Sequence, residues 1–329
     1  MERVRLGNTP LWVSRVGLGS LPLGPLQADW TQAAAGGLLG LGLERGINLL
    51  DTAELYDNYG QIAAALRGHS GEAVVISKSY APTREGMAAS VERALRELGR
   101  RRVEVFLLHE QESDLTLAGH RPALEYLGEA KARGAVAAVG LSTHRVAGVW
   151  AAVREPAVEV VMAIVNRRGL GVPDGTGEEM LAALAEAHRQ GKGVIAMKVL
   201  GGGHLHAEAA QAIRFVRDLP FVHAALLGVS SEAELAFDLA VWEGRPVSAR
   251  LRRAVGTGVR RLEVEEWCTG CGECVAACPS AALTVEGGRA RAGPACVLCG
   301  YCAAACPDFC LKVTLAEAAA HPQGGPMGR

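Results

Sequence analysis

The residues of this chain best suited to chemistry are its cysteines, because all nine lie in one short stretch near the C-terminus. Four of them follow the pattern C-x2-C-x2-C-x3-C, with Pro279 directly after the fourth. The same pattern recurs 28 residues further along the chain, with Pro307 next. The stretch is therefore an internal duplication of one small unit. The first run is Cys268, Cys271, Cys274 and Cys278, and the second is Cys296, Cys299, Cys302 and Cys306.

This spacing resembles that of bacterial ferredoxins with two [4Fe–4S] clusters, in which the fourth cysteine of each run binds the other cluster. Zinc sites fit poorly, because they pair two short knuckles and close with four ligands. Disulfides need an oxidising compartment, and the chain shows no export signal. Cys310 is left over and needs no role beyond that of a small buried hydrophobe. The resemblance implies that cluster 1 binds Cys268, Cys271, Cys274 and Cys306, and that cluster 2 binds Cys296, Cys299, Cys302 and Cys278.

Ionisable residues follow several apolar runs in the rest of the chain. The run Ile47–Leu50 ends in Asp51, VVIS ends in Lys78 and VFLL ends in His109, while Tyr56 lies five residues beyond Asp51. Each has an ordinary explanation when taken alone: a helix N-cap for the acid, a snorkelling surface lysine, a satisfied core histidine. Their occurrence at consecutive predicted strand ends predicts a shared site instead.

The chemistry that this set predicts is the protonation of an oxyanion. A tyrosine with a pKa of about 10 is a weak acid at neutral pH, but an adjacent ammonium stabilises its phenolate and lowers the pKa. Lys78 would supply that ammonium to Tyr56, and Asp51 would hold Lys78 charged and aimed. His109 would hydrogen-bond a substrate carbonyl and support the developing charge. Together they would protonate an alkoxide as hydride arrives at carbon.

The elements that must position these residues are eight apolar runs alternating with longer segments of helical period. The runs are rich in β-branched residues, which is typical of parallel strands buried on both faces. Eight βα repeats favour an α/β fold closed into a (β/α)8 TIM barrel, with an open doubly wound sheet as the alternative. No GxGxxG follows the first run, which weighs against a Rossmann fold. The predicted strands are Val16–Ser20, Ile47–Asp51, Ala73–Lys78, Val103–His109, Ala135–Leu141, Val158–Val165, Gly193–Lys198 and His223–Gly228, and the predicted helices include Thr31–Arg45, Arg84–Leu98, Ala118–Arg133, Glu178–Gln190 and Ala207–Arg217.

Length and composition limit the class of protein. The 329 residues fit a barrel of about 250 residues plus a small module. The formal net charge of −1 argues against nucleic acid or a membrane surface as a partner, and no apolar stretch reaches membrane-spanning length. We expect a cytoplasmic protein, because the N-terminus lacks an apolar signal-peptide core. The predicted division is a barrel over 1–258, a ferredoxin-like domain over 259–315 and a flexible tail over 316–329.

The first domain resembles the aldo/keto reductase superfamily in several segments between Val4 and Asp238. They are RLGNTPLWVSRVGLGS, DTAELY, VVISK, VEVFLLH, GLSTH at 140–144 and GVIAMKVLGGG at 193–203. The resemblance implies a carbonyl or alcohol substrate and a nicotinamide cofactor lying across the barrel mouth. It also implies a catalytic tetrad formed by Asp51, Tyr56, Lys78 and His109.

The residues that would hold the nicotinamide cofactor match the family less well. Ser142 stands where the family's serine binds the carboxamide, but Thr143 replaces an asparagine and Met162 a glutamine, and Met197 replaces a ring-stacking tyrosine. The loop after the last strand has the form that binds phosphates through backbone N–H groups, although its glycines also suit plain tight turns. Gly228 and Glu234 fall where many NADP-dependent members carry basic residues, so NAD and NADP both stay possible. The predicted cofactor contacts are Gly19, Ser20, Ser142, Thr143, Asn166, Lys198, Leu200, Gly201, Gly228, Ser230 and Ser231.

Two functions from different classes fit these observations. In the first, the barrel reduces a carbonyl or oxidises an alcohol with NAD(P)H, and the clusters exchange electrons with a redox partner protein. In the second, the barrel is a docking scaffold for an electron carrier and has no nicotinamide-dependent turnover. The tetrad favours the first function, and the substituted carboxamide contacts favour the second. Direct coupling of hydride transfer to one-electron clusters would need a flavin or sequential steps, and no flavin site is recognisable.

The course of the chain also predicts how the two domains meet. The last strand ends at the top of the barrel near Gly228, so a helix at Glu232–Trp242 runs back to the bottom. A further helix at Ser248–Val259 would be about 18 Å long at 1.5 Å per residue, enough to bring the chain a good part of the way up again. We therefore expect the ferredoxin-like domain beside or over the active-site face, with tethering at the base as the alternative.

Overall fold

Eight parallel strands close into a barrel in the computed structural model, which describes residues 1–255, 259–308 and 310–316. Each strand pairs with the next along the chain, and the last pairs with the first. The predicted (β/α)8 barrel is confirmed, with all eight predicted strands present and small changes at their ends. The strands are β3 Val16–Gly19, β4 Leu49–Asp51, β5 Val74–Ser79, β6 Val103–Leu108, β7 Val136–Thr143, β8 Val160–Ile164, β9 Gly193–Met197 and β10 Ala224–Gly228.

Helices on the outside of the barrel connect the strands. Several begin after a threonine whose side chain accepts a hydrogen bond from a backbone N–H of the first turn, as at Thr31, Thr83 and Thr176. This bond satisfies donors that have no partner inside a helix. No helix in the described ranges is long and apolar enough to cross a membrane. The helices are α1 Gln32–Glu44, α2 Tyr59–Leu66, α3 Arg84–Leu98, α4 Asp114–Gly119, α5 Arg121–Ala132, α6 Val146–Arg154, α7 Gly177–Arg189, α8 Ala209–Arg217, α9 Glu232–Trp242 and α10 Ala249–Ala254.

The barrel has two apolar layers, because side chains along each strand alternate between its inside and its outside. On β6, Val105 and Leu107 belong to the inner layer, whereas Phe106 and Leu108 pack in the outer layer beneath the helices. All four side chains are fully buried. The strands are therefore held from both faces, and their C-terminal ends form a fixed platform.

A hairpin that the sequence analysis did not predict closes the other end of the barrel. Its strands, β1 (Arg3–Arg5) and β2 (Trp12–Ser14), pair antiparallel and add apolar side chains to the inner layer. Asn48, just before β4, accepts a hydrogen bond from the backbone N–H of Ser14 at 2.6 Å. The N-terminal end of the barrel is thus sealed, and the opposite end carries the site.

The C-terminal part folds as a small unit, called here the cysteine module (residues 259–316). Its first and last strands, β11 (Val259–Val264) and β14 (Leu311–Ala316), pair antiparallel, so the two ends of the module lie side by side. The internal duplication is visible as two one-turn helices, each preceded by a glycine with positive φ. The predicted tail at 316–329 lies, beyond Ala316, outside the described residues. The other elements are β12 Leu283–Glu286, β13 Arg289–Ala292, α11 Glu273–Ala276 and α12 Tyr301–Ala304.

The connection between the two parts differs from the prediction in one respect. The predicted helix at Ser248–Val259 is shorter, because α10 ends at Ala254 and β11 begins at Val259. The preceding helix α9 has the predicted bounds, Glu232–Trp242.

Candidate active site

The C-terminal ends of three adjacent strands bring the four predicted catalytic side chains together. Asp51 ends β4, Lys78 lies near the end of β5 and His109 directly follows β6, while Tyr56 ends a one-turn helix after β4. Lys78 Nζ lies 2.6 Å from Asp51 Oδ1 and donates to the carbonyl of Thr52 at 2.8 Å. The same ammonium lies 4.8 Å from the centre of the Tyr56 ring. All four side chains are buried.

Burial governs the ionisation of Asp51 and Lys78. Loss of solvent raises the pKa of Asp51 and lowers the pKa of Lys78, and the attraction between the two charges opposes both shifts. Since the charges are in contact, neutralising one would leave the other buried and unpaired, which is costly. The ion pair therefore fixes the ammonium beside the ring of Tyr56.

Tyr56, the expected acid of the site, and His109, the expected hydrogen-bond donor, are both uncharged. Burial raises the pKa of the Tyr56 phenol well above its usual value, and the charge of Asp51 adds to this. The predicted lowering of the Tyr56 pKa is therefore wrong, because desolvation of the phenolate is the largest effect and raises the pKa. Burial and the charge of Lys78 lower the pKa of His109 well below its usual value, so its imidazole is uncharged at neutral pH.

A second tyrosine, which the sequence analysis did not assign to the site, reaches these residues from the cysteine module. The Tyr301 hydroxyl donates to the Tyr56 hydroxyl at 3.2 Å and lies 3.0 Å from Nε2 of His109. On another side of His109, the ring of Tyr80 stacks with 4.4 Å between ring centres. These contacts confirm that the cysteine module lies over the active-site face of the barrel.

The two parts of the chain meet at positions where only glycine fits. Gly202 and Gly300 have φ of 71° and 83°. A Cβ added at Gly202 would lie 1.7 Å from the carbonyl oxygen of Val297, and one at Gly300 would lie 2.5 Å from that of Leu26. The loop between the second-run cysteines therefore packs backbone to backbone against the barrel. An apolar cluster continues this interface and consists of Leu21, Ala53, Tyr56, Val297, Cys299 and Tyr301.

A cleft leads from the tetrad along the ends of β9 and β10. It encloses about 1140 Å³, including the part open to solvent at its mouth. Asp51 and Tyr56 line its inner end, whereas His109 and Tyr301 are not part of its wall. Four of the predicted cofactor contacts line this cleft: Gly19, Lys198, Leu200 and Gly228.

The sequence matches the aldo/keto reductase family over residues 15–220. The chain belongs to this family. Residues 261–308 match the 4Fe-4S dicluster domain, so the cysteine module follows the reductase domain. A curated relative, D-threo-aldose 1-dehydrogenase of a Pseudomonas species, is 32% identical over 126 residues. The match covers 37% of this chain and 36% of that relative, so it spans about a third of each length.

Solved structures share the reductase barrel. A Pseudomonas aeruginosa protein assigned to the aldo-keto reductases has a TM-score of 0.63 at 27% identity, over 74% of this chain and 94% of that one. The holo form of an aldo-keto reductase from Bacillus halodurans has a TM-score of 0.63 at 19% identity, covering 78% and 95%, which shows the fold alone. The chain therefore joins a barrel of the aldo/keto reductase family to a 4Fe-4S dicluster domain.

The other predicted cofactor contacts of the reductase do not line the cleft. Asn166 bonds entirely within its own loop, where its side-chain oxygen accepts two backbone N–H groups and its nitrogen donates to a carbonyl. The Ser142 hydroxyl accepts the N–H of Glu110 at 3.0 Å, and the Thr143 hydroxyl accepts the N–H of Arg145 at 2.9 Å. The remaining members of this group are Ser20, Gly201, Ser230 and Ser231.

The cysteine module adds a second cation to the cleft, beside Lys198 of the reductase barrel. Arg260, on β11, donates to the side-chain oxygen of Gln27 at 3.2 Å and to the hydroxyl of Ser230. Burial lowers the pKa of this guanidinium, and the charge of Glu234 opposes that shift. Sequence reasoning missed Arg260, because nothing in its local pattern distinguishes it from the other arginines.

A buried acid and a second imidazole lie beside the tetrad. Glu110 has a positive φ of 50°, and its carboxylate lies 3.2 Å from Nε2 of His144. Burial raises the pKa of Glu110 to about 7, against the opposing charges of Lys198 and Lys78. Burial likewise lowers the pKa of His144 well below its usual value. The pair thus adds a carboxyl group that changes its charge near neutral pH.

Cysteines line two small cavities in the cysteine module. Each cavity combines the first three cysteines of one run with the fourth cysteine of the other run, the crossed arrangement that the spacing predicts. A four-iron cluster fits a space that has thiols distributed around it, whereas a single metal ion needs ligands that converge on one point. No group of three or more His, Cys, Asp or Glu side chains in the described ranges is arranged to hold a single ion. One cavity is lined by Cys268, Cys271, Cys274, Cys306 and Cys310, and the other by Cys278, Cys296, Cys299 and Cys302.

Backbone donors in the module point at two of these sulfurs. The N–H of Ala282 donates to Cys278 Sγ at 3.3 Å, and the N–H of Cys310 donates to Cys306 Sγ at 3.2 Å. Such bonds stabilise thiolates and are among the factors that set cluster potentials. The residues present therefore fit iron–sulfur clusters in both number and surroundings.

Proposed function

We propose that this chain reduces a small-molecule carbonyl, or oxidises an alcohol, in the reductase barrel with NAD(P)H. The observation that carries the proposal is the contact of the buried Asp51–Lys78 ion pair with the Tyr56 ring at the inner end of the cleft. NADH and NADPH are both candidates, and Lys198 and Arg260 are the cations in the cleft that a phosphate could bind. The catalytic residues are Asp51, Tyr56, Lys78 and His109.

Each side chain has a distinct part in the proposed reaction. When bound, the dinucleotide supplies or accepts hydride. Tyr56 gives its proton to the substrate oxygen as negative charge develops there, and the ammonium of Lys78 stabilises the phenolate that is left. Because burial raises the pKa of Tyr56, the proton leaves only when the substrate oxygen is ready to take it. Neutral His109 donates a hydrogen bond to the same oxygen.

We place two [4Fe–4S] clusters in the two cavities of the module, with the crossed ligand sets given above. The clusters would supply one-electron transfer, and a redox partner protein would exchange these electrons. The fit rests on the four expected ligand thiols that line each cavity and on the backbone N–H groups that reach two of these thiols. We place the protein in the cytoplasm, where thiols stay reduced.

The test of the catalytic assignment compares two buried tyrosines. Tyr56→Phe should lower kcat/KM for carbonyl reduction by about 10²-fold or more, the usual contribution of a positioned acid, and leave the dinucleotide Kd unchanged. Tyr59→Phe is the matched control, because its hydroxyl bonds Ser77 at 2.6 Å, away from the cleft. Loss of turnover in Tyr59→Phe but not in Tyr56→Phe would reverse the assignment.

A second candidate is an electron-transfer protein whose barrel is a docking scaffold without nicotinamide-dependent turnover. It is favoured by Ser142, Thr143 and Asn166, whose side chains bond to backbone groups away from the cleft. Calorimetric titration of the anaerobic holoprotein with NADH and NADPH separates the two functions. Binding of neither dinucleotide would favour the scaffold.

A further inference from the structure

Tyr301 lies inside the mouth of the barrel although it belongs to the cysteine module. Tyr301 is only 6% exposed, and its side chain packs with Tyr56, Val297 and Cys299 in the apolar cluster shared by both domains. The hydroxyl is 3.2 Å from the Tyr56 hydroxyl and 3.0 Å from Nε2 of His109. No other hydroxyl among the described residues hydrogen-bonds either of these groups.

These two partners are the groups that the substrate oxygen needs. In the proposed function, the oxygen of a carbonyl must lie about 2.6–3.2 Å from the acid and from the hydrogen-bond donor. Tyr301 already has an oxygen at that distance from both Tyr56 and His109. Two oxygens cannot share one position, so a substrate carbonyl and the Tyr301 hydroxyl exclude each other.

The cofactor side of the site is unaffected by this contact. Asp51 and Tyr56 line the cleft, whereas His109 and Tyr301 are not part of its wall. A dinucleotide in the cleft and the Tyr301 hydroxyl therefore approach Tyr56 from different sides.

We propose that the Tyr301 hydroxyl occupies the position that the oxygen of a carbonyl substrate needs. While the cysteine module is docked on the barrel, the dinucleotide can therefore bind in the cleft, whereas carbonyl compounds cannot bind at Tyr56 and His109. This inference rests on the proposed function. Tyr301 thereby determines whether a substrate can reach the active site, and turnover in the barrel requires the Tyr301 ring to move out of the barrel mouth. Because Tyr301 lies between Cys299 and Cys302, two proposed ligands of cluster 2, its seat depends on the fold around that cluster.

Contacts of the loop that carries Tyr301 explain why the ring lies in the barrel mouth. Gly300 brings the chain so close to the barrel that a Cβ there would lie 2.5 Å from the carbonyl oxygen of Leu26. Gln27 donates to the carbonyl of Leu298 at 3.1 Å, and His204 hydrogen-bonds the carbonyl of Cys296. The loop that carries Tyr301 is thus attached to the barrel loops that follow β3 and β9.

The experiment uses the anaerobic holoprotein with acetaldehyde as a small probe substrate. Tyr301→Ala vacates the oxygen position and the space of the ring, and we expect its kcat/KM to rise at least about tenfold over the unsubstituted protein. Tyr301→Phe keeps the ring and should stay near the unsubstituted value, since the ring still fills the space. Trp267→Ala, which removes a 56%-exposed aromatic from the same module, is the matched control and should change nothing. Iron content per chain and the NADPH Kd should be equal in all four proteins.

A readout independent of turnover separates this inference from the proposed function. Acetate carries an oxygen acceptor like that of a carbonyl, and its binding to the NADP⁺-loaded protein is measured by calorimetry. We expect binding to Tyr301→Ala and none to the unsubstituted protein. Equal acetate binding, or equal acetaldehyde turnover, in these two proteins would overturn the exclusion by Tyr301. If acetate binds only to Tyr301→Ala, yet Tyr56→Phe in that background keeps all turnover, the exclusion stands and the proposed function fails.

Discussion

The reductase barrel and the cysteine module are built on opposite principles. The barrel buries dozens of aliphatic side chains, such as Leu50 and Val75, in two layers that need no other component. The apolar cluster of the module consists of Cys274, Leu283, Ala290, Cys302, Cys306, Cys310 and Leu311, and four of these seven are cysteines. One part is stable through burial of apolar surface, and the other depends on what its cysteines bind.

The largest expected effect is the response of the two parts to iron removal. Anaerobic protein should contain about eight iron and eight acid-labile sulfide per chain. Chelation should unfold the module and leave the barrel folded, because only the module relies on ligand binding. Hydrogen exchange should then show protection lost over 259–316 and kept in the barrel strands. Stoichiometric zinc without sulfide, or a module still protected after chelation, would contradict this comparison.

Within the module, two cysteines should differ in their effect. Cys278 lines the cavity with three second-run cysteines, whereas Cys310 is the additional thiol of the other cavity. Cys278→Ser should reduce the iron content to about half, since one cluster loses a ligand. Cys310→Ser should keep the full iron content. Iron loss in Cys310→Ser with none in Cys278→Ser would mean that the ligand sets are assigned wrongly.

A substitution that creates a cavity in the barrel core should destabilise the barrel and leave the cysteine module unaffected. Leu50→Ala removes a fully buried side chain from the outer layer and should cost about 2–5 kcal/mol of unfolding free energy. Anaerobic urea unfolding followed by circular dichroism measures this cost. Iron content at low urea should be unchanged, because the module does not depend on this layer. Parallel loss of iron would show that the two parts unfold as one unit.

The smallest expected effect concerns Glu110, whose pKa is raised by burial from 4.5 to about 7. The folded protein holds this proton more tightly than the unfolded chain, so stability falls as pH rises from about 4.5 to 7. The span is at most about 3 kcal/mol, at 1.36 kcal/mol per pKa unit. Glu110→Gln should flatten the dependence of the thermal midpoint on pH in this range. Glu92→Gln, on an exposed position of α3, is the control, and a profile unchanged by Glu110→Gln would refute the assignment.

The sequence predicts those parts of this molecule that depend on local pattern. Asp51, Lys78 and His109 could be placed because each follows a buried β-branched run, and parallel strands bring such ends to one face. Tyr301 could not, since the cysteine pattern leaves the residues between its cysteines free and only the seat of the module decides where that side chain lies. Asn166 was placed in the cofactor site, but its side-chain oxygen accepts two hydrogen bonds and its nitrogen donates one within a local turn.

The short hairpin at the N-terminus was missed for another reason. Its strands, Arg3–Arg5 and Trp12–Ser14, have three residues each, too few to show an alternating pattern. The direction of the Tyr56 pKa was wrong because the depth of burial, which decides it, cannot be judged from the order of residues.

The proposed crossed cysteine sets would impose an order on events during synthesis of the protein at the ribosome. The barrel strands are complete by Gly228, and N-terminal domains generally fold first while a chain grows at about 5–20 residues per second. Under the crossed assignment neither metal centre can close early: the first waits for Cys306 and the second for Cys302. On this assignment the barrel would fold before Tyr301 is synthesised, and Tyr301 would enter the barrel mouth only when the last cluster ligands are available. A nascent chain starved of iron would keep that mouth open.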